Sequence, residues 1–286
     1  MGLKCGIVGL TNSGKTTMFN CISNTKAEVT DFAYSTSKSN IGVCAVPDER
    51  LTHIDTFIHA DKLVYANLDL VDIPGLAKGA STGAGIGNSF LADVRLCDAL
   101  IHVLRCFDNP ALPHEEGSVD PVRDIEIVDF ELQCKDLEQI ERKITKVEKA
   151  AKVGEKTAKH DLAVLLKYKE HLEGFRNVRT LEVTADEKAV VADMMLLTEK
   201  PVMFVCNVND DDAATGNAYS EAVQRYVGEH GGEMLVIAAK IESEIAELES
   251  EEDRKAFLED VGLNEPGVNK VIRAAYKMLD LISFFT

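Results

Sequence analysis

The chain has 286 residues, 45% hydrophobic but only 6% aromatic and without Trp, so an aliphatic core of one large or two modest domains is within reach. A formal charge of −17 excludes a surface uniformly attractive to nucleic acid, and neither an N-terminal apolar leader nor an apolar run of about 18 residues is present. Seven cysteines, with no CxxC pair or zinc spacing, read as buried thiols of a reducing compartment, and the sequence predicts a cytoplasmic protein.

Leu3–Val8 is a short apolar run suited to a buried parallel strand. Gly9 to Thr16 then read Gly-Leu-Thr-Asn-Ser-Gly-Lys-Thr, a complete phosphate-binding P-loop, and from Thr17 to Ile22 apolar residues fall at helical spacing. Strand, glycine loop and helix are the context this motif requires. Backbone N–H groups from Asn12, Ser13, Gly14, Lys15, Thr16 and Thr17 are expected around the phosphates, at a helix N-terminus that favours anions. Lys15 would reach the β- and γ-phosphates and Thr16 would ligate Mg2+.

The Ser- and Thr-rich segment 30–40 is where a switch threonine completing Mg2+ coordination belongs, with Thr30 and Thr36 as candidates. Strand-like runs follow at Ile41–Val46 and Val64–Val71. Asp72-Ile-Pro-Gly75 comes next, about 60 residues after the P-loop, with a carboxylate placed to hold Mg2+ through water and a glycine N–H placed to meet a γ-phosphate. The residue after Gly75 is Leu76, where Ras-like switches carry the glutamine that orients the attacking water. Residues 78–87, with four glycines, read as a loop that orders around the γ-phosphate.

Leu100–Leu104 is the fourth strand. Beyond it, the loop Asn109–Gly117 carries His114, an imidazole placed where doubly wound sheets bind ligands and able to position water in place of the missing glutamine; a plain exposed loop histidine is the competing reading. From Pro121 to about Ala150, Ile125, Val128, Leu132, Leu137, Ile140, Ile144 and Val147 form a narrow helical stripe. Gly154 permits a turn, and Leu162, Leu165, Leu166 and Leu172 mark a returning helix that ends near Gly174. Seven basic residues between Arg142 and Lys159, against Glu148 and Glu155, would sit at the distal end of this antiparallel hairpin. A solvated lysine face and an arm touching an anionic partner such as ribosomal RNA both fit that pattern.

Pro201–Val208 and Met234–Ala238 are the last strands. Asn207-Val208-Asn209-Asp210 resembles a guanine-reading NKxD loop with Val208 in place of its lysine, and Ala238-Ala239-Lys240 stands where the second base loop belongs. The alternation of strands and helices predicts an α/β, Ras-like, mostly parallel sheet with helices on both faces. Residues 1–120 and 198–280 would form the nucleotide-binding domain, and 121–197 an inserted α-helical hairpin.

The motifs Val8-Gly-Leu-Thr-Asn-Ser-Gly-Lys-Thr, Val46-Pro-Asp-Glu-Arg-Leu, Asp72-Ile-Pro-Gly-Leu, Ile101-His-Val-Leu-Arg-Cys-Phe, Gly117-Ser-Val-Asp-Pro-Val-Arg-Asp, Asn207-Val-Asn-Asp and Leu263-Asn-Glu-Pro-Gly-Val-Asn-Lys-Val-Ile-Arg-Ala together resemble the YchF subfamily of Obg-like P-loop NTPases across essentially the whole chain. The resemblance implies a hydrophobic residue for the catalytic glutamine, which fits Leu76, a loop histidine in its place, which maps onto His114, and Thr36 as the switch threonine. It implies binding of ATP and GTP with Mg2+, association with ribosomes, and a small TGS domain, of which residues 281–286 would be the start. The chain departs from the family at Thr11, Ser13, Lys38 and Ser39, and at Asp210 where Glu is usual, which restores a guanine-reading carboxylate.

The combined expectation is a Mg2+-dependent hydrolase of ATP, and of GTP, slow unless stimulated, with no membrane and no sequence-specific DNA as partner. Lys15, Gly75 and His114 would act on the γ-phosphate and water; Thr16, Thr36 and Asp72 would hold the metal; Asn207, Val208, Asp210 and Ala239 would frame the base. The rivals are a nucleotide-gated binding module without meaningful hydrolysis, a strictly GTP-specific translational GTPase, and a small-molecule kinase, against which the DxxG motif and its glycine-rich follower argue.

Overall fold

The computed structural model describes residues 3–23, 40–74 and 86–285. Thr30, Thr36, Gly75, Leu76 and the glycine-rich stretch up to Gly85 lie outside them. Six strands, β1 (Lys4–Val8), β2 (Asn40–Ala45), β3 (Asn67–Asp72), β4 (Ala99–Arg105), β5 (Val202–Asn207) and β6 (Glu233–Ile237), form one sheet in the order β2-β3-β1-β4-β5-β6. All neighbours are parallel except β2, which runs antiparallel to β3. All six predicted strands are present. The third starts three residues later than predicted, because Val64 is exposed and strand pairing begins at Asn67.

Ten helices surround the sheet: α1 (Lys15–Ser23), α2 (Glu49–Ile58), α3 (Ile86–Arg95), α4 (Pro121–Lys152), α5 (Lys156–Glu173), α6 (Ala185–Val191), α7 (Ala218–His230), α8 (Ala239–Glu247), α9 (Glu251–Asp260) and α10 (Gly267–Met278) among the described residues. Strand alternation sorts side chains to two faces. Ala99, Ile101 and Val103 of β4 pack with Met18, Phe19 and Ile22 of α1 and with Val271, Ile272 and Ala275 of α10. Leu100 and Leu104 point the other way, toward Phe90, Leu91 and Val94 of α3 and Ile125, Val128 and Leu132 of α4. The loop predicted to run through Gly87 therefore ends earlier, since α3 begins at Ile86 and buries an apolar face from Phe90 on.

The hairpin is formed by α4 and α5, joined through Gly154 at φ 95°. Asp120 caps α4, accepting the Arg123 N–H at 3.2 Å, and Pro121 fills the first turn, where a missing N–H costs nothing. Beyond that first half, α4 and α5 share their own core of Ile140, Leu165, Tyr168 and Leu172 with Val178, Val191 and Leu196. The apolar stripe of α4 is not narrow along its whole length, as the spacing predicted. Its first half also buries Asp129, which accepts from Asn177 at 2.7 Å and Arg179 at 3.2 Å, and Asp136, which accepts the Leu197 and Thr198 N–H groups at 2.8 Å. These carboxylates close the return segment, including α6, onto the helix. Gly174 follows the last residue of α5, but the left-handed residue there is Phe175, at φ 55°. At the distal end Arg142 pairs with Glu138, Lys143 with Asp193 and Lys152 with Glu148, while Lys146, Lys149, Lys156 and Lys159 are exposed and without an ion pair among the described residues. All seven cysteines are free, and all but Cys134 are buried.

Candidate functional site

The C-terminal ends of β1, β3, β4, β5 and β6 open on the same edge of the sheet, and the predicted site residues gather there. After Val8 the chain turns through Gly9 (φ 150°), Asn12 (φ 60°) and Gly14 (φ 97°) before α1 begins at Lys15. Two of these glycines are required by space as well as by backbone angle. A Cβ on Gly9 would lie 2.4 Å from the Val103 carbonyl oxygen, and one on Gly14 would lie 2.3 Å from Asn207 Nδ2.

Lys15 is only 7% exposed, and its ammonium donates to the Leu10 carbonyl at 2.6 Å. Burial pushes it down to about 8, against the pull of Asp72 and Glu115. Among the described residues this desolvated cation, folded back on its own loop, has no carboxylate at bonding distance, so an incoming polyphosphate would supply a direct counter-charge. Thr16 Oγ1 donates to Asp72 Oδ2 at 3.1 Å, and burial raises the Asp72 carboxyl while Lys15, Thr16 and Asn40 oppose it. A hydroxyl and a buried carboxylate side by side are hard oxygen donors, the set that suits Mg2+. Ser13 Oγ is buried without a partner among the described residues, and Thr17 continues α1, half-buried.

Asn207 joins the phosphate side to the base side. Its Nδ2 donates to the Ser13 carbonyl at 3.0 Å, and its Oδ1 accepts the Ala239 N–H at 3.0 Å. One buried amide thus fixes the P-loop, the end of β5 and the start of α8 together. Val208 follows Asn207 with its side chain turned inward: it is 4% exposed in the cluster with Ile125, Cys206 and Ile241, and its N–H donates to the Ile237 carbonyl at 2.9 Å. Asp210 stands at the start of a short 3-10 turn, with its carboxylate already paired with Lys240 of α8.

His114 sits in a loop pinned on both sides. The Arg105 guanidinium, at the end of β4, donates to the carbonyls of Phe107 (3.1 Å), Leu112 (3.0 Å) and Asn109 (3.3 Å). Asn12 of the P-loop donates to the Pro113 carbonyl at 3.1 Å. Arg123 donates to the Ser118 carbonyl at 2.6 Å and to Asp124 Oδ1 at 3.1 Å. Between these ties, Nδ1 of His114 accepts the Glu116 N–H at 3.1 Å, which leaves the ring proton on Nε2, 3.0 Å from Asp124 Oδ2. Both side chains are 4% exposed. Burial raises the Asp124 carboxyl, with His114 and Arg123 opposing.

Three of these supporting residues were not singled out from the sequence. Arg105 leaves a trace, a cation ending an apolar strand run. Asp124 ends the Gly117–Asp124 motif of the resemblance, but beyond that it reads only as an acid in a first helical turn, a common preference. Asn217, which donates to the Cys106 carbonyl and to Asp212, both at 2.8 Å, looks only like the N-cap of α7.

A family model described as 50S ribosome-binding GTPase matches residues 4–167. The ribosome-binding ATPase YchF of Escherichia coli O157:H7 is 43% identical over 286 residues, covering 100% of this chain and 78% of that protein. The protein of the same name from Bacillus subtilis (strain 168) is 41% identical over 288 residues with the same coverage. The structure of the Schizosaccharomyces pombe YchF GTPase superposes with a TM-score of 0.82 at 31% identity, covering 97% of this chain and 76% of that one. With its sheet order, its P-loop and these relatives in agreement, the chain belongs to the YchF family of P-loop GTPases.

Proposed function

We propose that the chain is a Mg2+-dependent switch that binds ATP, and GTP with it, cleaves the β–γ bond slowly until a partner stimulates it, and works on the ribosome. The observation that carries this reading is the Asn207 bridge, which holds the phosphate loop and the base loop as one unit. Lys15 and the backbone N–H groups of Asn12 to Thr17 bind the phosphates, and the desolvated ammonium gains a direct anionic partner. Thr16, Asp72 and Thr36 hold Mg2+, which when bound neutralises charge on the β- and γ-phosphates. The Gly75 N–H meets the γ-phosphate, and His114 positions the attacking water that Leu76 cannot. Asn207 and Asp210 frame the base, with Ala239 and the backbone of Val208 beside it.

Residues 1–120 and 198–280 act as the nucleotide-binding domain and 121–197 as the arm. The ribosome enters through the relatives' names and through the exposed Lys146, Lys149, Lys156 and Lys159 at the arm's end. A second reading, a nucleotide-gated binding module without hydrolysis, is favoured by one observation: both ring nitrogens of His114 are already engaged. Equilibrium binding of Mg-ATP and Mg-GTP, followed by single-turnover cleavage, separates the readings. Binding followed by phosphate release to water supports the hydrolase. Bound ATP that persists for hours with Mg2+ and ribosomes present leaves only the binding module.

A further inference from the structure

His114 as it stands cannot receive a proton from water or orient water through a lone pair. Its Nδ1 lone pair is taken by the Glu116 N–H, its Nε2 proton by Asp124, and the side chain is closed off from solvent. The loop around it is not loose. Arg105 holds residues 107, 109 and 112, Asn12 holds Pro113, and Arg123 ties Ser118 to the same carboxylate that holds the histidine. The contact therefore requires two fixed bodies, the P-loop side through Asn12 and the first turn of α4 through Asp124.

The geometry points to Asp124 as a positioning residue that latches His114 in a resting state, so that turnover requires this one hydrogen bond to open. The inference rests on the reading of His114 as the water-positioning residue. An imidazole released from Asp124 keeps its anchor at Pro113, beside Asn12 of the P-loop, and so stays near the phosphate end of the site. The latch predicts slow basal turnover without calling on any missing group: only the fraction of molecules with the bond open is competent, and turnover scales with that fraction. It also gives the hairpin a way into the site, because Asp124 lies in the first turn of the same continuous helix that ends at Lys152. A partner that shifts α4 by a fraction of an ångström lengthens the Asp124 contact directly.

The test is steady-state ATP hydrolysis by the whole chain as wild type, Asp124→Ala, Asp124→Asn, His114→Ala and the Asp124→Ala/His114→Ala double variant, with nitrogen-15 shifts of His114 recorded alongside. Opening the latch should raise kcat of Asp124→Ala about threefold to tenfold with KM within about twofold. Asp124→Asn keeps an acceptor but not its charge, and should fall between wild type and Asp124→Ala. The gain should vanish in the double variant. A kcat for Asp124→Ala equal to or below wild type, in a protein that still binds Mg-ATP, overturns the latch. If Asp124→Ala does not fold, the wild-type spectrum decides. The His114 ring should show the Nε2–H form both in the free protein and with Mg2+ and a non-hydrolysable ATP analogue bound; a ring that carries its proton on Nδ1, or that is free of Asp124 in both states, overturns the proposal. Absent wild-type turnover, or turnover untouched in His114→Ala, would instead strike the functional reading itself.

Discussion

Around Lys15 the molecule is held by single polar ties between distant parts of the chain, whereas α4 and α5 are held by an apolar seam between near neighbours. Asn207 and Ser13 are 194 residues apart in the sequence, yet one amide joins them; Asn12 reaches Pro113 of the His114 loop in the same way, and Arg105 and Asp124 add ties of shorter range. In the hairpin the pattern is reversed: Ile140, Leu165, Tyr168 and Leu172 fill the seam, and the charged groups at the distal end mostly face water. A polar tie loses its whole function when one partner goes, while a packed seam loses stability in proportion to the volume removed. The two regions should therefore fail differently when altered.

The largest expected effect lies in the seam. Tyr168 is fully buried, and Tyr168→Ala should destabilise the hairpin by about 4 kcal/mol while Mg-ATP affinity stays within a factor of about two. Chemical denaturation followed separately by nucleotide binding and by helix content checks this; parallel losses would erase the contrast. Next comes His102 on β4, buried with Nε2 unpartnered among the described residues and pushed down to about 4 by its desolvation. A neutral buried histidine contributes stability that is complete above about 6.5 and is lost as pH falls toward 4, a total of about 3 kcal/mol. His102→Phe should flatten unfolding free energy over that window; an unchanged slope would assign the acid sensitivity to other groups.

Asn207→Ala removes both ties of the bridge and leaves the Ala239 N–H without its partner, for about 2 kcal/mol of stability but a loss of nucleotide affinity of about tenfold or more. Calorimetric titration with Mg-ATP tests it, and an affinity equal to wild type would deny the bridge its role. The smallest change is Lys240→Ala. Its partner Asp210 is partly exposed, so stability should move by less than about 0.5 kcal/mol, while the balance of Mg-GTP to Mg-ATP binding shifts toward GTP as the carboxylate is freed. A constant ratio would remove Asp210 from base selection.

The contrast also explains what could be read in advance. Strands such as Ala99–Arg105 and the seam of α4 and α5 are written in local periodicity, and the sequence places them within a few residues. The P-loop and Asn207 are legible because phosphate and base chemistry admit few residue types at those positions. Asp124, Arg105 and Asn217 are not, because their roles consist of contacts made only once the loop beyond β4 meets the P-loop, α4 and α7. The buried carboxylates Asp129 and Asp136 are illegible for the same reason: on a helix they look like solvated acids until the segment 177–198 folds back to donate to them.

The most direct test of the account is hydrolysis of Mg-ATP by wild type and His114→Ala, read as kcat and KM. If His114 positions the water, kcat falls about 100-fold or more while KM stays within about twofold. An unchanged kcat would contradict the account and assign the positioning of the water to a group other than His114.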